Sequence, residues 1–289
     1  MNIEFKTAES LVKSVKTLLT LPEVYLQVRA VVEDPDSCLA DLVDVISIDA
    51  GITARLLRIV NSAYFNLGVS VDSILQAVNL LGMKAVHNLV LATTLSNSFS
   101  NTNNNTLNMR KFWEGSVRCA VFARAISFEC DEPEHERMFV DGLLSNIGHQ
   151  VMYLQMAEQT SFALNKSLAS GLPPAAVETE ILGFNYADVG GELLKAWGMP
   201  PTISEVVRHH VAPENTEVFL REASIVHIAN VLAQFYDSHL DDQSLISLIK
   251  PTAWQSTGLV PEILLGIHSE AAVELEETIE MLLGVRKAA

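Results

Sequence analysis

Apolar residues recur at three- and four-residue intervals along almost the whole chain, the period of helices buried along one face. Thr7 is placed to cap a helix in which Leu11, Val12, Val15, Leu18 and Leu19 make one stripe, and Pro22 suits the first position of the next. The run Asp34-Pro35-Asp36-Ser37 ends that second helix and starts a third carrying Leu39, Leu42, Val43 and Ile46. A fourth, from about Ala50, turns Ile52, Leu56, Ile59 and Val60 inward. A turn from Tyr64 to Gly68 leads to a fifth that begins at Asp72 and ends at Gly82, and a sixth runs to about Ser96. No stretch sustains the period-two alternation bounded by hairpin turns that strands require, so the expected fold is all-α.

Residues 97–108, reading NSFSNTNNNTLN, are polar, short-chained and free of apolar periodicity, which predicts a linker or exposed loop. The expected organisation is therefore an N-terminal helical bundle over 1–96, a polar linker over 97–108 and a second helical unit over 109–289. In that second unit the spacing predicts helices near 109–129, 134–156, 158–170, 174–182, 186–197, 201–210, 217–236 and 269–283. Gly171, Gly183 and Gly198, with Pro173, Pro174, Pro200 and Pro201, stand where helix ends and first turns are expected. The charged stretch 270–280, with Glu274, Glu276 and Glu277, reads as a solvated helix face. No internal repeat of solenoid period is evident.

Composition narrows the function. At 289 residues and 49% hydrophobic the chain can bury a large core, and 35 acidic against 19 basic side chains give a net charge of -16. That charge repels phosphate backbones and argues against nucleic-acid binding. The segment around Leu81-Gly82-Met83 has the length of a helix-turn-helix, but its second helix offers only Lys84 and His87, so two packed bundle helices are expected. Cys38, Cys119 and Cys130 have no CxxC spacing, which suits buried packing in a reducing compartment. No run approaches the roughly 18 to 20 apolar residues of a membrane helix, and Glu4, Lys6 and Glu9 do not make a signal peptide, so a cytoplasmic location is expected.

Two blocks carry a family resemblance. Asp49-Ala-Gly-Ile-Thr-Ala-Arg-Leu-Leu-Arg-Ile-Val-Asn-Ser-Ala63, followed by Ser73-Ile-Leu-Gln-Ala-Val-Asn-Leu-Leu-Gly82, resembles the signature of HDOD domains. The later block Gly183-Phe-Asn-Tyr-Ala-Asp-Val-Gly-Gly-Glu-Leu-Leu-Lys-Ala-Trp-Gly-Met-Pro200, with Val207-Arg-His-His210, resembles the later part of the same family. The likeness extends from about residue 15 to 235. It implies an N-terminal bundle packed on a subdomain related to the HD superfamily of metal-dependent phosphohydrolases.

In that superfamily a His, an adjacent His-Asp pair and a distant Asp hold a divalent metal that polarises phosphate and supplies hydroxide. Carried onto this chain, the resemblance places Gly115 where a His follows Trp113-Glu114, and Ser145-Asn146 where His-Asp precedes Ile147-Gly148. Tyr186 stands at a further His position, and Asn230 at the closing Asp. Glycine donates no ligand, and neutral Ser and Asn oxygens offset little of the dehydration of a divalent cation. Ser145 has no adjacent base to make it a nucleophile, no Gly-rich phosphate loop is present, and Gly190-Gly191 reads as close helix packing.

His149, His87 and His227 are expected to be satisfied core or interface histidines. His209 and His210 point about 100° apart on one helix, so they do not readily share an ion. The residues expected at a cleft or interface between the subdomains are His209, His210, Tyr186 and Trp113, one of the paired histidines bonding across and the other meeting solvent. The expected function is a non-catalytic signalling or regulatory module, without metal or cofactor, that presents a helical surface or the inter-subdomain cleft to a protein partner or small ligand. The alternative is a metal-dependent phosphohydrolase with a rearranged metal site.

Overall fold

The computed structural model describes residues 5–15, 21–62, 65, 67–100, 109–237 and 241–283, and every regular element among them is helical. The N-terminal part contains α1 (Ala8–Val15), α2 (Glu23–Glu33), α3 (Leu39–Ser47), α4 (Ala50–Val60), α5 (Ile74–Leu81) and α6 (Met83–Ser100). Local chemistry sets these boundaries. Thr7 Oγ1 accepts from the Ser10 N–H at 3.2 Å to open α1, Asp49 accepts from the N–H groups of Gly51 and Ile52 to open α4, and Ser73 rather than Asp72 caps α5. Gly82, at φ 85°, takes the left-handed region that breaks α5 from α6.

The second part contains α7 (Met109–Glu129), α8 (His135–Leu144), α9 (Ile147–Gln155), α10 (Ala157–Ser170), α11 (Pro174–Leu182), α12 (Tyr186–Ala196) and α13 (Pro201–His209). A 3-10 turn at Pro213–Asn215 leads to α14 (Leu220–Phe235), α15 (Asp242–Ser247), α16 (Pro251–Thr257) and α17 (Pro261–Leu283). Three expectations change. The single helix expected over 134–156 is two, broken at Ser145-Asn146. Helices α15 and α16 were not expected, being only 6 and 7 residues long, and α17 starts at Pro261 instead of 269. Residues 97–100 of the expected linker continue α6, while 101–108 lie outside the described residues. Leu18, Leu19 and Tyr64 also lie outside them.

One hydrophobic cluster runs from Ala8 through Ile279. Helix α6, the second helix of the helix-turn-helix look-alike, buries Val86, Leu89, Val90, Leu91 and Ala92 and packs against α2, α4, α5 and α8. Helix α1 lies on α9 and α12, tying the N-terminal helices to the second part. Arg29 of α2 donates to the Trp197 carbonyl at 3.1 Å, and the Tyr25 hydroxyl donates to Met199 Sδ at 3.4 Å. All three cysteines are free, Cys119 and Cys130 in the core and Cys38 exposed. No helix among the described residues is long and apolar enough to cross a membrane.

Two close crossings position the site. A Cβ on Gly148 of α9 would sit 1.9 Å from the Tyr186 carbonyl oxygen and 2.6 Å from the Gly190 nitrogen, so α9 and α12 touch backbone to backbone. A Cβ on Gly191 would meet Arg208 Cβ at 2.6 Å, which sets α12 equally close to α13. The pair Gly190-Gly191 thus serves helix packing.

Candidate functional site

Three of the positions singled out in sequence, Asn230, His210 and His149, meet around the Tyr186 phenol. Asn185 caps α12 by accepting from the N–H groups of Ala187 and Asp188, and Asp188 accepts in return from the Asn185 N–H at 3.0 Å. This reciprocal cap fixes Tyr186 as the first residue of α12, with its side chain only 1% exposed. The Tyr186 hydroxyl accepts from Asn230 Nδ2 at 2.8 Å and lies 3.3 Å from His210 Nε2.

Donor and acceptor roles follow from the partners. His210 Nδ1 faces the Val207 carbonyl at 2.6 Å, and a carbonyl only accepts, so Nδ1 carries the proton. Nε2 is then the acceptor and Tyr186 donates to it. Burial drives the His210 pKa down to about 3 and holds the Tyr186 phenol well above its ordinary value, so both rings are neutral in this network. His227 extends it. Its Nδ1–H donates to the His210 carbonyl at 2.9 Å, its Nε2 accepts from the Lys250 N–H at 3.2 Å, and burial lowers its pKa to about 4.

On the other face of Tyr186 lies His149, stacked with ring centroids 4.1 Å apart and planes 21° from parallel. Its Nε2 is 2.7 Å from Glu178 Oε1, while Glu178 Oε2 accepts the Tyr186 N–H at 2.9 Å. The buried Glu178 carboxylate therefore orients both rings. At the break between α8 and α9, Ser145 is buried and its Oγ donates to the Gly142 carbonyl at 2.8 Å. Asn146 Nδ2 donates to that same Oγ at 3.2 Å.

Two adjoining cavities flank this assembly and share Pro174, Gln234 and Phe235 in their walls. One, about 360 Å³, is bordered by Tyr186, Asn230, His227 and Leu248. The other, about 450 Å³, is bordered by Gly115, Asn146, His149, Phe112 and Leu168. Both lie inside the second helical part, between α7, α9, α10, α11, α12 and α14, and not between the N-terminal bundle and that part as expected. A Cβ at Gly115 would meet nothing within 4 Å, so the missing side chain there leaves open space.

The four residues expected at a cleft or interface separate. Tyr186 borders a cavity. His210 is fully buried and bonds within the second part rather than across to the bundle. His209 turns outward, its Nε2 3.3 Å from Glu205 on the same helix. Trp113 is 2% exposed in the core and its neighbours Phe112 and Gly115 border the cavity instead. Sequence reasoning missed Glu178, Gln234, Leu168 and Leu172. An available signal was the apolar pair Leu168 and Leu172 at the polar end of α10, where both are exposed.

A divalent cation does not fit the residues present. At the expected centre stand a neutral phenol, two carboxamides, a serine hydroxyl turned to a backbone carbonyl, and a neutral imidazole. Glu178, the carboxylate beside them, is already occupied by His149 and the Tyr186 N–H. Among the described residues no group of three or more His, Cys, Asp or Glu side chains is placed to hold a metal ion.

An all-helical chain whose second part has this helix order and this convergence of positions has the architecture of the HD-related domains. The HDOD domain model matches residues 18–213, and the chain belongs to that family. A solved HDOD domain protein of unknown function from Geobacter sulfurreducens superposes with TM-score 0.77 at 18% identity, covering 95% of this chain and 98% of its own. A provisionally named phosphohydrolase from Shewanella amazonensis SB2B superposes with TM-score 0.75 at 21% identity, over 94% of this chain and 98% of that one. An uncharacterised protein of Treponema pallidum (strain Nichols) is 26% identical over 243 residues, which is 82% of this chain. The chain spans about half the length of that relative, 47%.

Proposed function

We propose that this chain is a non-catalytic HDOD module of a signalling or regulatory system, acting by presenting a helical surface or its cavity to a protein partner or a small ligand. The observation that carries the reading is the Tyr186 phenol, hydrogen-bonded to Asn230 and stacked on His149 at the centre where hydrolytic relatives would need ionisable ligands. Of the replacements, Ser145, Asn146, Tyr186 and Asn230 each have a hydrogen-bonding task of their own, which favours a retained shape over a retained reaction. The phosphohydrolase name of the Shewanella protein does not transfer, because likeness at 21% identity supports the fold alone.

The competing reading is phosphate-ester hydrolysis through a rearranged metal site. Turnover of phosphomonoesters and cyclic dinucleotides, with magnesium, manganese or nickel added, separates the two. The proposal expects rates no higher for the wild type than for a His209→Ala, His210→Ala double variant. Metal-dependent turnover lost in that variant, with its fold intact by circular dichroism, would overturn it.

A further inference from the structure

The larger cavity has a polar edge that the rest of the fold leaves unused. Asn146 is the N-cap of α9, a position where an asparagine oxygen ordinarily accepts from the first helical N–H groups, yet its side chain makes no capping bond. Its orientation is set from behind. Ser145 Oγ gives its only proton to the Gly142 carbonyl and must accept from Asn146, so the Asn146 amide nitrogen points at Ser145 and Oδ1 is turned away from it. That oxygen takes no hydrogen bond from the described residues.

Three residues on, His149 is fixed in the same manner. With Nε2 directed at Glu178 and the ring clamped on Tyr186, Nδ1 is the ring nitrogen left without a partner among the described residues, and it is an acceptor whenever the ring carries a single proton on Nε2. Residues three apart share a helix face. Both border the same cavity, whose wall is largely apolar, with Phe112, Leu164, Leu172 and Phe235, beside the polar Lys111, Ser167 and Gln234.

Charge narrows the occupant further. Lys111, the one basic side chain in the lining, already has a partner of its own, the carboxylate behind His149 faces inward, and the whole chain carries -16. An anion entering this largely apolar space would lose its hydration with one exposed lysine alone to offset the loss, against a chain of net negative charge. The volume, about 450 Å³, falls in the range of small-ligand sites.

We infer that the cavity beside Asn146 and His149 binds an uncharged, largely apolar ring compound that offers an N–H or O–H donor to those two acceptors. The inference rests on the non-catalytic reading of the same site. Gly115 is part of the design, since a side chain there would occupy the space.

Calorimetric titration with three probes at pH 8 tests this: indole, 1-methylindole, which lacks the donor, and phenyl phosphate, which is an anion. The expected result is saturable one-to-one binding of indole, about tenfold weaker binding of 1-methylindole, and none of phenyl phosphate. Asn146→Leu should weaken indole more than 1-methylindole, and Gly115→Leu should abolish binding of both with the melting temperature unchanged or raised. Equal affinity for the two indoles, tightest binding of phenyl phosphate, or indole binding unaltered in Asn146→Leu would overturn the inference. Because the readout is affinity and not turnover, hydrolysis of phenyl phosphate on adding manganese would count against the non-catalytic reading without changing the ratio of the two indoles.

Discussion

Asn230 Nδ2 donates to the Tyr186 hydroxyl at 2.8 Å, joining α14 to the start of α12 across the centre of the second helical part. Both residues are buried, at 5% and 1% exposure, so the bond is made away from water and each partner depends on the other for satisfaction. The phenol thus supports the structure at a place where ionisable ligands would support a reaction.

Tyr186→Phe tests that dependence. The variant keeps the ring and its stacking on His149 but leaves Asn230 Nδ2 and His210 Nε2 without the hydroxyl they share. Orphaning buried polar groups costs about 1 to 3 kcal/mol each, so the urea midpoint should fall clearly with the m-value unchanged. An unchanged midpoint would show that the phenol carries no structural load.

The two buried histidines predict an acid-sensitive fold. Their pKa values in the folded state, about 3 for His210 and about 4 for His227, lie below the ordinary 6.5 because burial disfavours the charged ring. Below pH 6.5 the unfolded chain therefore binds protons that the folded chain refuses, and stability falls as the pH drops from there towards 3 to 4. Asp141, fully buried with its carboxyl held well above the usual range by that burial, acts with opposite sign and is relieved by acid. Unfolding free energy measured from pH 7.5 to 4 should decline for the wild type, and the decline should be shallower in His210→Gln by an amount on the order of a few kcal/mol at the acid end. Parallel curves for the two proteins would contradict the assignment.

Two glycines, Gly148 of α9 and Gly115 of α7, should respond in opposite directions to one methyl group. Gly148→Ala drives a Cβ to 1.9 Å from a backbone oxygen, which no side-chain rotation relieves, and should lower stability by more than about 4 kcal/mol or prevent folding. Gly115→Ala meets open space within α7 and should raise stability by about 0.5 to 1 kcal/mol from helix propensity. Melting temperatures of the two variants check the pair, and a loss of stability at Gly115 would show that its neighbourhood is tighter than described.

Where the apolar period ran long, as in α4 with Ile52, Leu56, Ile59 and Val60 or α12 between its Asn185 cap and Trp197, the helices could be placed from sequence to within a residue or two. The break at Ser145-Asn146 was not legible, because the residues on both sides continue the helical spacing and Ser145 returns its own hydroxyl to the Gly142 carbonyl. Helices α15 and α16 are too short for a period to show. Positions at the centre could be singled out one by one from the family resemblance, but not what they do together. That Glu178 orients His149 and Tyr186, 29 and 8 residues away, depends on the crossings at Gly148 and Gly190. The place of the two cavities within the second part is not legible for the same reason, since their walls together come from six helices whose packing no local pattern encodes.

Whether this centre holds a hydrogen-bonded phenol in place of a metal ion is decided by titrating purified, chelator-treated protein with manganese and iron(II) and measuring metal retained per chain. Substoichiometric retention that Tyr186→Ala leaves unchanged is the expected result. One tightly held ion per chain, lost when His149, His209 or His210 is replaced, would contradict it.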